Sequence, residues 1–150
     1  DWSSDVCSSD LVYNAADIGI NTCIGEGWGL VNTEHGSVGV AQLVPDHTSL
    51  AEIFDELPRI PSNGSETDRN YGLERFQPDP QSAAEILTYY YENRDVLKEH
   101  GQWCYKRLHE EEFTWPYIQQ KLLKIVKRTL RKSKANANSA KGFGNRIRID

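Results

Sequence analysis

Between Ile18 and Val44 the chain reads as a strand, a glycine-broken turn, a helix and a second strand, and few folds accept that order. Ile18-Gly19-Ile20-Asn21 has the look of a short buried strand with a loop after it, and Ala41-Gln42-Leu43-Val44-Pro45 of the next one. Gly25-Glu26-Gly27-Trp28-Gly29 separates the first strand from a helix expected from about Leu30 to Ser37, which Gly39 ends. Strand, helix and strand in succession imply a right-handed parallel crossover, hence an α/β fold with a parallel sheet and flanking helices. Ligands of such sheets bind beyond the carboxyl ends of the strands, where Glu26 and Asp46-His47 would both lie.

The turn carries three pieces of chemistry. Gly27 and Gly29 allow backbone amides to approach a ligand and to adopt conformations other residues resist. A helix opening near Leu30 offers unpaired N–H groups and partial positive charge, a seat for phosphate. Glu26 and Glu34 bracket that seat, and carboxylates accept readily from paired hydroxyls. Together these residues suit a sugar joined to a nucleotide through phosphates.

The flanks are of different character. Residues 1–11, DWSSDVCSSDL, resemble a translated sequencing adaptor and show no helical or strand period, so they are expected to be foreign to the fold. With no Met in the chain, residues 12–150 read as a fragment of a longer protein. Outside that leader only Cys23 and Cys104 remain, too few for a disulfide framework, which points to a reduced, cytoplasmic setting. No apolar run approaches the length that spans a bilayer.

Charge is divided along the chain. Residues 1–120 hold 7 basic and 21 acidic side chains, whereas 121–150 hold 10 basic and 1 acidic. The preferred reading of Lys121, Lys124, Lys127, Arg128, Arg131, Lys132 and Lys134 is a solvated helix face whose charge suits the helix dipole. Peripheral contact with an anionic membrane or acceptor is the alternative. Nucleic acid is not expected, because no aromatic residue interleaves with the bases between Lys121 and Lys141.

The remaining elements follow from local signals. Residues 12–16 read as the end of a helix, and a further helix is expected from about Ser49 to Glu56. Pro58, Pro61, Asn63-Gly64 and Gly72 make 57–78 a surface excursion with a short strand around Arg59-Ile60. Asp79 caps a helix with Pro80 in its first turn, running to about Asn93. The next, over about 94–110, packs through Leu97, Gly101, Cys104 and Leu108. The last starts near Thr114, with Trp115, Ile118, Leu122, Val126 and Leu130 as a packed stripe. Residues 133–150 are expected to be a disordered basic tail.

Tyr13-Asn14-Ala15-Ala16-Asp17, Glu26-Gly27-Trp28-Gly29-Leu30, then Glu34 and Gly39 before a strand, together resemble the retaining glycosyltransferases of the GT-B fold. The pattern is similar to glycosyltransferase family four, whose hallmark is two Glu separated by seven residues, here Glu26 and Glu34. Phe113-Thr114-Trp115 before an amphipathic helix is also similar to the family's C-terminus, so the likeness covers most of 12–132.

The resemblance implies the Rossmann-like, donor-binding C-terminal half of such an enzyme, moving a sugar from a nucleotide-sugar such as a UDP- or GDP-sugar with retention of configuration. Glu34 would accept from ribose hydroxyls, Glu26 would bind the donor sugar as the catalytic-site carboxylate, and amides from Gly27 through Trp28, Gly29 and Leu30 to Val31 would hold sugar and pyrophosphate. No metal or other cofactor is implied, and the acceptor, a glycan, lipid or protein, is left open. The family's diphosphate-neutralising Arg/Lys pair has no counterpart before Glu26, and Ala41 stands where Pro is common. With the acceptor-binding N-terminal half expected upstream, the chain by itself is expected to transfer no sugar.

Other residues weigh less. His47 faces the same rim and is a possible site residue, whereas Asp17 is read as structural and His35, His100 and His109 as surface or boundary residues. No His, Cys or carboxylate group has metal-ligand spacing. A dinucleotide-binding fingerprint fails, since G-x-G-x-x-G from Gly25 requires glycine where Leu30 stands. A non-catalytic module binding a nucleotide-sugar or a partner is the remaining alternative.

Overall fold

The computed structural model describes residues 8–144, with side chains described over 11–133. Two compact units divide the chain between His109 and Glu110.

The first unit is mixed α/β. Its elements are α1 (Ser8–Asn14), β1 (Ile18–Ile20), α2 (Leu30–Ser37), β2 (Ala41–Leu43) and α3 (Thr48–Ile53). They are followed by β3 (Ser62–Asp68), β4 (Leu73–Pro78), α4 (Pro80–Glu92) and α5 (Arg94–Leu108). β1 and β2 pair in parallel with Ile18 opposite Ala41 and Ile20 opposite Leu43, and α2 connects them, as the strand–helix–strand order requires. Asn21 N–H donates to the Leu43 carbonyl at 2.9 Å, carrying the ladder one step past β1. The strand expected around Arg59-Ile60 is a single parallel bridge, in which Ile60 exchanges bonds with the Val44 carbonyl and the Asp46 amide.

The core lies between β2 and helices α4 and α5. Every residue from Ala41 to Pro45 is buried, a continuous run of the kind parallel strands show when both faces are covered. Ala41 packs with Tyr90 and Leu97, and Leu43 packs with Ile60 and Ala83, while Ile18 and Ile86 touch both clusters. Complete burial of a side chain such as Leu43 contributes about 1.5–3 kcal/mol. β1 is less enclosed than its sequence suggests: Ile20 is exposed, because no further strand covers that side among the described residues.

Helix boundaries follow their caps. Asp79 accepts from the Ser82 amide at 2.8 Å and the Ser82 hydroxyl at 2.6 Å, and Pro80 opens α4 where its missing N–H costs nothing. On α5, Leu97, Gly101 and Cys104 are buried as the spacing predicts, with Leu108 partly so. A Cβ on Gly101 would collide with the Gly39 carbonyl oxygen, so this glycine sets how closely α5 approaches the chain entering β2.

Three expectations need correcting in this unit. α1 includes Ser8–Leu11, part of the segment read as foreign to any element, since Ser and Asp are favoured at a helix start despite lacking an apolar period. Residues 1–7 lie outside the described residues. The excursion over 57–78 contains the antiparallel hairpin β3–β4, with a register irregularity between Ser62 and Ser65 and an Arg75–Asp68 ion pair of 2.8 Å near its turn. α3 ends at Ile53 rather than Glu56, and Arg59 donates to the Phe54 carbonyl in the turn that follows.

The second unit contains a short 3-10 turn at Glu111–Phe113 and α6 (Trp115–Gly144). The helix continues through Gly144, into the segment expected to lack structure, while 145–150 lie outside the described residues. The stripe of Trp115, Ile118, Leu122, Val126 and Leu130, expected to be packed, is exposed. Among the described residues, no helix is long and apolar enough to cross a membrane.

Candidate functional site

The glycine turn is held in place from the opposite strand end. Glu26 N–H donates to Thr48 Oγ1 at 3.3 Å, and Ser49 Oγ donates to the Glu26 carbonyl at 3.2 Å. Two loops beyond the carboxyl ends of β1 and β2 are thereby joined, the rim where α/β sheets bind ligands. Gly29 is the N-cap of α2 with φ 86° and ψ 55°, a left-handed conformation, and a Cβ there would collide with Leu50 Cδ2. Gly27 has neither constraint: its surroundings are open and its φ is not positive. Conformational need, expected of both glycines, belongs to Gly29 alone.

A cleft of about 340 Å³ opens at the N-terminus of α2. Glu26, Trp28, Gly29, Leu30 and Val31 line it, as do Asn21 and Asn32. Glu26 folds back over the turn: its Oε1 accepts from Gly27 N–H at 2.9 Å and, more weakly, from Trp28 N–H at 3.5 Å. Two successive amides thus converge on one anionic oxygen, a small backbone nest. The first turn of α2 adds N–H groups that lack intrahelical acceptors. The lining contains no basic side chain.

The floor of the cleft is polar and ordered. Asn21 Nδ2 donates to Asn32 Oδ1 at 2.7 Å, and Asn32 Nδ2 donates to Gln42 Oε1 at 2.9 Å. Asn21 Oδ1 also accepts from Cys23 N–H at 2.7 Å, fixing the start of the loop. Asn32 and Gln42 are buried, so each needs these partners. Sequence reasoning missed Asn21 and Asn32. The available signal was Gln42, a polar residue within an apolar strand, which must find partners on a neighbouring element.

Not every expected site residue joins this cleft. Glu34 is exposed on α2 and outside the lining, its Oε2 accepting from the Tyr13 hydroxyl at 3.1 Å. Gly27 also lies outside the lining, though its amide serves the nest. His47 does not face the cleft: it is buried, its ring 5.6 Å from that of Phe76, and its Nε2 has no hydrogen-bond partner among the described residues. The polar rim position suggested accessibility, but β4 brings Phe76 against the ring.

Of the other three histidines, His35 departs from its expected place. His35 is buried rather than at the surface, stacked on Tyr13 and bonded through Nε2 to the Tyr13 carbonyl oxygen at 3.1 Å. His100 lies at the boundary, with Nδ1 2.8 Å from the Tyr90 hydroxyl, and His109 is exposed. Burial lowers the pKa of His35, His47 and His100 below the ordinary value of 6.5. Burial also pushes the Cys104 thiol up to about 12, which makes it a core residue and no nucleophile. Asp17, read as structural, pairs with Arg94 at 3.0 Å on the surface.

No group of three or more metal-ligating side chains occurs among the described residues. No family model matches the chain, and no curated protein matches it significantly.

Proposed function

We propose that this chain carries the nucleotide-sugar-binding, Rossmann-like half of a GT-B retaining glycosyltransferase. The observation that carries the reading is the cleft at the head of α2, where the Gly27 and Trp28 amides already converge on a carboxylate oxygen. A donor diphosphate presents the same kind of anionic oxygen. It would displace the Glu26 carboxylate from the nest and lie against the α2 N-terminus. Freed from the amides, Glu26 would accept from hydroxyls of the donor sugar, with Trp28 as one wall. The amides would then stabilise the negative charge that develops on the departing nucleotide, the preorganised electrostatic contribution that costs no reorganisation during reaction. Glu34, one turn further along α2, would have to release the Tyr13 hydroxyl to accept from a ribose.

Calorimetric titration of the chain with UDP-, GDP- and ADP-sugars tests the reading, with Glu26→Ala and Glu34→Ala beside the wild type. Selective binding of one nucleotide class is expected, weakened by each substitution about ten- to a hundredfold, the loss of one charge-assisted hydrogen bond. Absence of binding by a folded chain would overturn the proposal. A weakening by Glu26→Ala with none by Glu34→Ala would keep the cleft and remove Glu34 from it.

A further inference from the structure

We infer that α6 is a membrane-surface helix that lies on anionic lipid. At about 100° per residue, Trp115, Ile118, Leu122, Ile125, Val126 and Leu130 fall on one half of the helix circumference, interrupted only by Gln119 and Thr129. Lys121, Lys124, Lys127, Arg128, Arg131 and Lys132 fall on the other half. No cation falls within the apolar arc over this stretch, and the apolar half is exposed: Trp115 by 81% and Leu122 by 59%.

Charge selects the occupant. From Phe113 to Asn145 the sequence contains no Asp or Glu, so no acidic partner stands three or four positions from any of these cations. Lys124 instead faces Arg128, Lys127 faces Arg131 and Arg128 faces Lys132, like-charge pairs that disfavour an isolated helix. A solvated helix has no use for the apolar half, and pairing two copies through it would leave the flanking cations Lys121, Lys127 and Lys132 without counter-charge. An anionic bilayer surface answers both halves: acyl chains take the apolar residues and headgroups the flanking cations. The helix is too polar to cross the bilayer, in agreement with lying along it.

Co-sedimentation of the full chain with vesicles tests this, using phosphatidylcholine alone or phosphatidylcholine containing phosphatidylserine. Binding is expected only to the phosphatidylserine vesicles and should weaken steeply as salt is raised. Lys121→Gln with Lys127→Gln should weaken binding about twenty-fivefold, from about fivefold per charge. Leu122→Glu with Val126→Glu should abolish it, while circular dichroism confirms that the variants keep their fold. Failure to bind phosphatidylserine vesicles at low salt, or equal binding to neutral vesicles, would overturn the inference. So would a dimer in light scattering that Leu122→Glu with Val126→Glu dissolves while vesicle binding persists.

Discussion

Gly29 carries two demands in one residue, a left-handed backbone at the head of α2 and contact with Leu50 that leaves no room for a Cβ. Gly29→Ala should therefore destabilise the first unit by about 1–3 kcal/mol, read from the shift in urea midpoint. Gly27→Ala should leave that midpoint almost unchanged, because nothing lies near its missing Cβ. The sequence displayed both glycines alike, and only the packing of Leu50 distinguishes them.

Titration belongs to this scale too. His35, His47 and His100 have folded pKa values depressed by burial, so the unfolded chain binds protons more readily. Their contribution is fully present above the unfolded value of 6.5 and is lost as pH falls through the folded values. Urea unfolding should show falling stability from about pH 7.5 to about pH 5.5, and His35→Gln should flatten part of that slope. An unchanged midpoint across that range would contradict the buried, neutral histidines.

At the scale of elements, the contact between α5 and β2 rests on the absence of a side chain at Gly101. Gly101→Ala places a methyl against the Gly39 carbonyl, and backbone cannot move aside as a flexible side chain does. A loss of about 1–3 kcal/mol is expected in denaturant unfolding. Elements with strong local signals were legible in the sequence: α2 and β2 from the glycine-bounded apolar runs, α4 from Asp79 and Pro80, α5 from Leu97 and Cys104. The hairpin β3–β4 was not. Ser62–Asp68 is Ser-Asn-Gly-Ser-Glu-Thr-Asp, almost wholly exposed, so neither burial nor alternation marks it, and cross-strand pairs such as Arg75 with Asp68 hold it instead. The apolar stripe of α6 was legible as periodicity, but periodicity says only that one face is apolar.

For the whole molecule, the division after His109 leaves every buried hydrophobic residue of the described core in the first unit, between Ala41 and Cys104. A chain ending at His109 should therefore unfold cooperatively, with a thermal midpoint close to that of the full chain, as scanning calorimetry would show. Loss of cooperative unfolding would mean that the first unit depends on residues beyond its own core. The sequence by itself determined the α/β class, the crossover through α2 and the position of the glycine turn at the sheet's rim, because period, caps and glycines act over a few neighbouring residues. Only the tertiary structure decided that Glu26 lines the cleft while Glu34 turns to Tyr13, that Phe76 shields His47, and that Asn21, Asn32 and Gln42 form the floor. Those outcomes depend on side chains far apart in sequence competing for the same space and the same hydrogen-bond partners, and local pattern carries no record of that competition.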